Sequence, residues 1–352
     1  MKVLLYSPAF LPHIGGLELN VAHLAEGLGG LGHDVVVVTT TPGADGGDTP
    51  YRVVRRPSPL DLLRWVRWCD IFFHKNVSLR GLWPLLLVRR PWVVSHHSWY
   101  CRSDGRIAWQ DRIKRWVLRF ATASIAVSDA LAADLETPSV VIQNAYRSGL
   151  FRRLPDVVRD GELLFVGRLV SDKGADLLLD ALALLAGRGQ HHRLTVIGEG
   201  PERGPLEGQA ERLGLSARVH FSGLVQGEEL VRAMNGHRVL VVPSRYREPF
   251  GIVALEGIAC GCVVVGSEGG GLKEAIGPAG FTFPNGDREL LAQALTRALA
   301  IAGESWPSSS DVEAHLDLHS SSEVLARYVT TLEAAAPSSD DARKPLWARN
   351  SS

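Results

Sequence analysis

Two glutamates, Glu248 and Glu256, stand eight residues apart in the stretch PSRYREPFGIVALEGIACGCVVVGSEGGG. Pro249, Phe250 and Gly251 lie between them, and the pattern predicts a helix starting near Phe250. Glu248 then falls in the preceding loop and Glu256 about two turns inside the helix. Carboxylates so placed are too far apart to work as a coupled acid/base dyad. Each is better suited to accepting hydrogen bonds from sugar hydroxyls, which needs no shifted pKa. The plainer alternatives are a helix-dipole partner for Glu248 and simple solvent exposure for Glu256. The apolar neighbours Leu255 and Ala259 weigh against the second.

Upstream, LLFVGRLVSDKGADLLLDAL carries Arg168 at a strand end and Lys173 in the loop before a helix. A helix N-terminus already favours anions through its free N–H groups and its dipole. A guanidinium and an ammonium added there make a diphosphate site. The plainer alternative is a pair of solvated loop cations. The chain has no Asp-x-Asp, so no evident carboxylate pair holds a divalent metal against a diphosphate. Arg168 and Lys173 are then left to stabilise a leaving group, and neither a metal nor a cofactor is expected.

Gly15-Gly16 lies between a strand and a helix, where glycines let backbone N–H groups approach a phosphate or sugar. It is not a G-x-G-x-x-G fingerprint, which disfavours a nicotinamide enzyme. His96-His97 follows the strand-like WVVS, so a histidine there faces ligand at the carboxyl end of a parallel strand; a satisfied structural histidine is the alternative. Four cysteines (Cys69, Cys101, Cys260, Cys262) are too few and too oddly spaced for a disulfide framework. Cys260-x-Cys262 reads as a buried pair before a strand rather than as half of a metal site.

The elements that must position these residues alternate regularly. Strands are expected at 3–6, 34–40, 71–73, 92–95, 124–127 and 140–142, then at 163–166, 194–197, 219–221, 239–242 and 263–265. Helical patterns fill the intervals, among them 110–121, 175–186, 202–213, 228–234, 251–259, 287–302 and 322–335. Continuous apolar strands alternating with helices predict an α/β protein with parallel sheets covered on both faces. A chain of 352 residues exceeds one ordinary core. The expected division is 1–150 and 151–320, with a linker near 145–161, a helix at 321–336 crossing back to the first domain, and a disordered tail at 337–352. Ligands of open parallel sheets bind beyond the carboxyl strand ends, so two such domains facing each other would make a cleft.

Hydrophobic residues make up 45% and charged residues 22%, as in a soluble globular protein, and the formal net charge is zero. Charge is unevenly spread: Arg52 to Arg119 holds fifteen Lys and Arg against four Asp and Glu. That predicts a positive field on part of the first domain. No run of eighteen apolar residues suggests a membrane span. The N-terminus, cut by Pro8 and Pro12, reads as a first strand rather than a leader.

In this order, the motifs resemble the retaining glycosyltransferases of family 4, which have the GT-B fold of two Rossmann-like domains. The resemblance covers about residues 1–335. VGRLVSDKG resembles the family's diphosphate-binding strand end and loop, VIGEGPER its G-x-G-P turn, PSRYREPFGIVALE its E-x7-E motif, and GGGLKE its glycine-rich turn. GGLELNVAHLAEGLGGLGHDV resembles the first domain's glycine turn, helix and Gly-His-x-Val strand. Ala145 and Val263 depart from a frequent glycine and a frequent proline, both at structural positions.

The resemblance implies that Glu248 contacts donor-sugar hydroxyls and Glu256 the ribose hydroxyls. Pro249, Phe250, Gly251 and Ile252 would set backbone groups beside sugar and phosphate, and Gly15, Gly16 and Gly198 would join the donor site. Arg168 and Lys173 would hold the diphosphate. His97, one residue uncertain against His96, would line the catalytic centre. The implied reaction is transfer of a sugar from a nucleotide-diphosphate sugar to an acceptor hydroxyl with retention, in polysaccharide, glycolipid or other glycoconjugate synthesis. A sugar phosphorylase or epimerase of the same fold, and a non-catalytic nucleotide-sugar-binding protein, are the alternatives. The first domain would bind the acceptor, a glycan, lipid-linked or small molecule. Its Arg/Trp-rich segments around 64–68, 81–94 and 96–120 suit either an anionic membrane surface or an aromatic core with solvated arginines. A cytoplasmic protein, peripheral at the inner membrane face, is expected, without nucleic acid as partner.

Overall fold

The computed structural model describes residues 1–12, 15–43, 48–101, 105–302 and 309–336; the tail expected to be disordered, 337–352, lies outside these residues. The described residues form two compact units, one of Met1–Gln143 with 324–336, the other of Asn144–Glu323.

The first unit is built on strands β1 (Lys2–Tyr6), β2 (Asp34–Thr39), β3 (Arg52–Arg55), β4 (Ile71–Lys75), β5 (Trp92–His96), β6 (Ala123–Ala126) and β7 (Val140–Val141). They form one parallel sheet in the order β3-β2-β1-β4-β5-β6-β7. The central strands are buried along almost their whole length, which is why they read as unbroken apolar runs. The helix Gly16–Gly30 covers one face with Val21, Leu24, Ala25 and Leu28, a helical stripe at three- and four-residue spacing.

The second unit holds β8 (Gly161–Val166), β9 (Leu194–Ile197), β10 (Val219–Gly223), β11 (His237–Val242), β12 (Val263–Ser267) and β13 (Gly280–Phe283). These form a six-stranded parallel sheet in the order β10-β9-β8-β11-β12-β13. Its core packs Leu163, Phe165, Val239, Val241 and Val265 against Leu178 and Leu182 of the helix Ala175–Gly187 and Leu291 and Leu295 of the helix Arg288–Ile301. The Asp287 side chain caps the latter helix by accepting from Leu290 N. Arg238 donates to the Leu299 and Ala302 carbonyls at its other end.

Both strands absent from the sequence reading, β3 and β13, lie at a sheet edge. An edge strand lacks a second neighbour, and RVVR and GFTF are half-buried rather than buried throughout. They therefore carry no long apolar run. All four cysteines are free thiols. Cys262 donates to the Met234 carbonyl, and burial pushes the Cys260 and Cys262 thiols up to about 12 and about 11, which leaves both protonated and unreactive. Among the described residues no helix is long and apolar enough to cross a membrane.

Candidate functional site

In the second unit, the loops after β8, β9, β11 and β12 emerge at the carboxyl end of the sheet and hold each other through backbone contacts. Gly167 N donates to Ile197 O at 3.0 Å and Leu169 N to Glu199 O at 2.9 Å, so the Arg168 turn lies against the Gly198 turn. Gly198 has φ +144°, and a Cβ there would collide with the Gly167 carbonyl oxygen. Only glycine permits this approach. Arg168 is exposed at the tip.

Lys173 ends a short 3-10 turn, Ser171–Lys173. The Asp172 carbonyl accepts from Arg245 N and Tyr246 N at 2.8 and 3.3 Å, tying this turn to the loop after β11. The Lys173 ammonium lies 2.5 Å from Glu248 Oε1, and the Ser244 hydroxyl donates to the same oxygen at 2.6 Å. Glu248 is nearly buried, so the cation and hydroxyl together replace the water its carboxylate has lost. Its backbone is held as firmly. Gly271 N donates to Glu248 O at 2.8 Å, and Glu248 forms an isolated parallel bridge with Gly270. Asn285 ties the two loops together, accepting from Gly269 N at 2.7 Å and donating to Ser244 O at 3.0 Å.

The helix after Glu248 begins at Ile252, later than the sequence pattern predicts, and this is a correction to the expected start near Phe250. Gly251 takes φ +117°, outside the helical region, and Phe250 is turned into the core beside the His319 ring. Glu256 consequently lies one turn into the helix rather than two. In the first turn of that helix, Ala254 N already donates to Gly251 O at 3.0 Å. Pro249 completes the turn between Glu248 and that helix.

Glu256 is nearly buried, with Oε1 3.3 Å from Arg147 Nη2. Burial raises its carboxyl to about 7, and Arg147 counteracts only part of that. The sign follows from linkage. A carboxyl raised in the folded state from 4.5 to about 7 contributes stability below pH 4.5 that is lost as pH climbs to about 7. Wild type should therefore lose up to about 3 kcal/mol relative to Glu256→Gln between pH 4.5 and pH 8. Parallel chemical-denaturation curves at several pH values measure the difference, and a pH-independent gap would show that Arg147 fully compensates the burial.

In the first unit, His96 and His97 are sharply different. His96 is fully buried in β5, its Nδ1 2.7 Å from the Tyr100 hydroxyl and its Nε2 3.0 Å from Ser124 Oγ. Both nitrogens are occupied within the core, and burial lowers its pKa to about 3. His97 lies just beyond the strand and is half-buried. Its backbone N–H donates to Asn76 Oδ1 at 2.7 Å, and its Nε2 lies 3.0 Å from Ser95 Oγ and 3.2 Å from the Lys75 ammonium. Of the two, only His97 keeps part of its side chain exposed.

Gly15 precedes the helix Gly16–Gly30 with extended backbone, φ −159°, a conformation open to any residue. The nearest atoms a Cβ there would meet belong to the flexible Glu18 side chain. The local backbone thus gives no specific reason for glycine at 15, in contrast to Gly198, Gly251 and Gly270. Sequence reasoning did not find Ser244, Arg147, Asn285 or Lys75. Asn285 sits in a Pro-Asn-Gly turn, a recognisable turn signal, and Ser244 lies within the PSRYREPFGIVALE stretch without being singled out there; Arg147 and Lys75 stand in no motif.

Residues 151–305 match the family of glycosyl transferases group 1, and residues 14–146 match glycosyltransferase family 4. The chain is 39% identical over 363 residues to a D-inositol 3-phosphate glycosyltransferase of Frankia alni, covering 81% of this chain and 86% of the relative. It is 30% identical over 328 residues to an uncharacterized glycosyltransferase of Methanocaldococcus jannaschii, covering 78% and 83%. Among solved structures, HepE of Anabaena in complex with UDP superposes with a TM-score of 0.80 at 22% identity, over 95% of this chain and 100% of that one. Sucrose-phosphate synthase from Thermosynechococcus elongatus superposes with a TM-score of 0.79 at 24% identity, over the same shares. Structural likeness at such identities speaks to fold alone, and the two parallel-sheet units agree with it. With a family match in each unit and relatives at 30% identity or more over most of both chains, the protein belongs to the family 4 glycosyltransferases and has the GT-B fold.

Proposed function

We propose that this glycosyltransferase moves a sugar from a nucleotide-diphosphate sugar to an acceptor hydroxyl with retention of anomeric configuration and without a metal ion. The observation that carries this reading is the Lys173–Glu248–Ser244 cluster, seated against a glycine turn at the carboxyl end of a parallel sheet. In the free protein the Lys173 ammonium neutralises Glu248. An arriving diphosphate competes for that ammonium, and Glu248 is released to accept hydrogen bonds from sugar hydroxyls. Glu256, one turn into the next helix, receives the ribose hydroxyls. The solved relative HepE has been crystallised with UDP and with UDP-glucose, which supports a nucleotide-sugar donor here.

In the chemical step the bond from the anomeric carbon to the diphosphate oxygen breaks. The acceptor oxygen bonds to that carbon on the same face, and its proton passes to the departing diphosphate. Arg168 and Lys173 stabilise the negative charge that develops on the leaving group. Positioning and charge stabilisation are the protein's contribution.

Melting curves with UDP, GDP, ADP and dTDP and their sugar conjugates, all with chelator present, test the donor site. One nucleotide series should raise the melting temperature. No shift with any of them would overturn the donor assignment. The anomeric coupling in the product, read by NMR, tests retention.

The acceptor side is proposed to work at an anionic membrane surface. The helix Trp109–Val117 contributes no fully buried residue. Trp109, Ile113, Trp116 and Phe120 form an exposed stripe at helical spacing, with Trp109 69%, Trp116 52% and Phe120 62% exposed. Exposed Arg106, Arg112 and Arg119 flank it, and the Arg119 guanidinium lies 5.4 Å from the Trp116 ring centre. Apolar side chains and interleaved cations suit the headgroup region of anionic lipid. Relatives named phosphatidyl-myo-inositol mannosyltransferase act, by that name, on a lipid, which supports the same reading. Vesicles containing phosphatidylglycerol should sediment the protein, and the double variant W116S/F120S should weaken that binding at least about tenfold. Equal binding of wild type and variant would remove this face from consideration.

A further inference from the structure

Lys75 takes no part in the motifs described above, yet it is the most unusual charge in the first unit. It ends β4 with no exposure to solvent. Its ammonium donates to Asn20 Oδ1 at 2.9 Å, lies 3.4 Å from the Tyr328 hydroxyl, and faces the Tyr328 ring at 4.6 Å from its centre. Among the described residues no carboxylate bonds to it. Burial lowers its pKa to about 7. An unpaired buried cation is costly, and this one points at a single ring nitrogen, His97 Nε2.

That contact fixes where the proton of His97 resides. While Lys75 is charged, below about pH 7, it has donors and no lone pair, so the nitrogen facing it is the unprotonated one. Ser95 is engaged in the same direction. It lies 3.0 Å from Nε2 and shares a hydrogen bond with Tyr328, whose phenol stays protonated because it is buried. Nδ1 is left to carry the hydrogen, and it makes no hydrogen bond among the described residues. A second proton is opposed as well: burial, then the Lys75 charge, then His96 hold the His97 pKa well below 6.5.

We propose that Lys75 is a positioning residue that locks His97 in the Nδ1–H tautomer, so that His97 meets a bound sugar or acceptor hydroxyl as a hydrogen-bond donor and not as a base. This rests on the reading of His97 as a ligand-facing residue of a glycosyltransferase. Tyr328, carried on the C-terminal helix Ser321–Ala335, completes the lock through Ser95 and Lys75. Without the ammonium, Ser95 Oγ can accept an Nε2–H and the other tautomer becomes available.

The test is the long-range proton–nitrogen NMR spectrum of protein labelled at histidine nitrogen, free of ligand, at about pH 6, below the Lys75 pKa of about 7 so that the ammonium is present, with the His97 signals identified by their loss in His97→Gln. Wild type should show a protonated Nδ1 and an unprotonated Nε2. Lys75→Met, which removes a buried charge while keeping the chain length, should convert a large share of His97 to Nε2–H. Lys75→Arg should retain Nδ1–H. In transfer assays Lys75→Met should lower kcat about 10- to 100-fold with the donor KM nearly unchanged, and Lys75→Arg should recover part of the loss. An Nε2–H tautomer in wild type would overturn the proposal without any variant, and so would an unchanged tautomer in folded Lys75→Met. Because the spectrum is taken on free protein, absence of sugar transfer by wild type would refute the functional reading and leave the tautomer result standing.

Discussion

Lys173→Ala lowers kcat/KM for sugar transfer by about 10²- to 10³-fold, the usual loss when one preorganised charge is removed from a developing oxyanion. Two effects are combined in that variant. The departing diphosphate loses a cation, and Glu248 loses the ammonium 2.5 Å from its Oε1 and keeps only the Ser244 hydroxyl. A carboxylate this well buried, deprived of its counter-charge, also costs stability, about 1–3 kcal/mol. The double variant K173A/E248Q separates the two. Glutamine brings no charge to be neutralised, so the double variant recovers most of the lost stability while transfer stays down. Melting curves and initial rates on the four proteins complete the cycle. Full activity in Lys173→Ala would refute its role toward the diphosphate. Activity returning in the double variant would show that Lys173 only serves Glu248.

The same pair marks where sequence reading succeeds and where it stops. Lys173 and Glu248 could be singled out because each stands at a fixed distance from a strand end or a helix start, and the interior strands of both sheets announce themselves as apolar runs. That the two touch across 75 positions is a tertiary fact, created by Asp172 O accepting from Arg245 N and by a glycine at 174 with φ +68°. No local pattern encodes it. Ser244 and Asn285 were illegible for a related reason: a hydroxyl or amide acquires a role only from what the fold sets beside it. Lys75 looked like one more residue of a basic segment, and its burial depends on packing by Tyr328, 253 positions away. His96 and His97, ambiguous as neighbours in sequence, separate once the strand end is known. The first points into the sheet's core and the second lies past its last residue.

Gly270→Ala is expected to disable the donor site through the backbone alone, with no functional side chain altered. Gly270 has φ +84°, and an added Cβ would strike the Glu248 carbonyl oxygen. Left-handed backbone costs an ordinary residue about 1–2 kcal/mol by itself. The collision adds more, because the groups that must yield are the Gly270–Glu248 bridge and the Gly271 N–H bond to the same carbonyl. Movement of Glu248 O carries its side chain away from Lys173 and Ser244, so the expected loss in kcat/KM exceeds about 10²-fold. Gly214→Ala is the matched control. Gly214 has nearly the same backbone, φ +69°, yet a Cβ there would meet nothing within 4 Å. It should cost about 1–2 kcal/mol and leave the kinetics intact. If both variants lose only stability, the glycine turn is a structural necessity and does not set Glu248. If Gly270→Ala alone loses transfer and nucleotide-induced stabilisation, the position of that one carbonyl is what joins the glycine turn to the sugar-binding carboxylate.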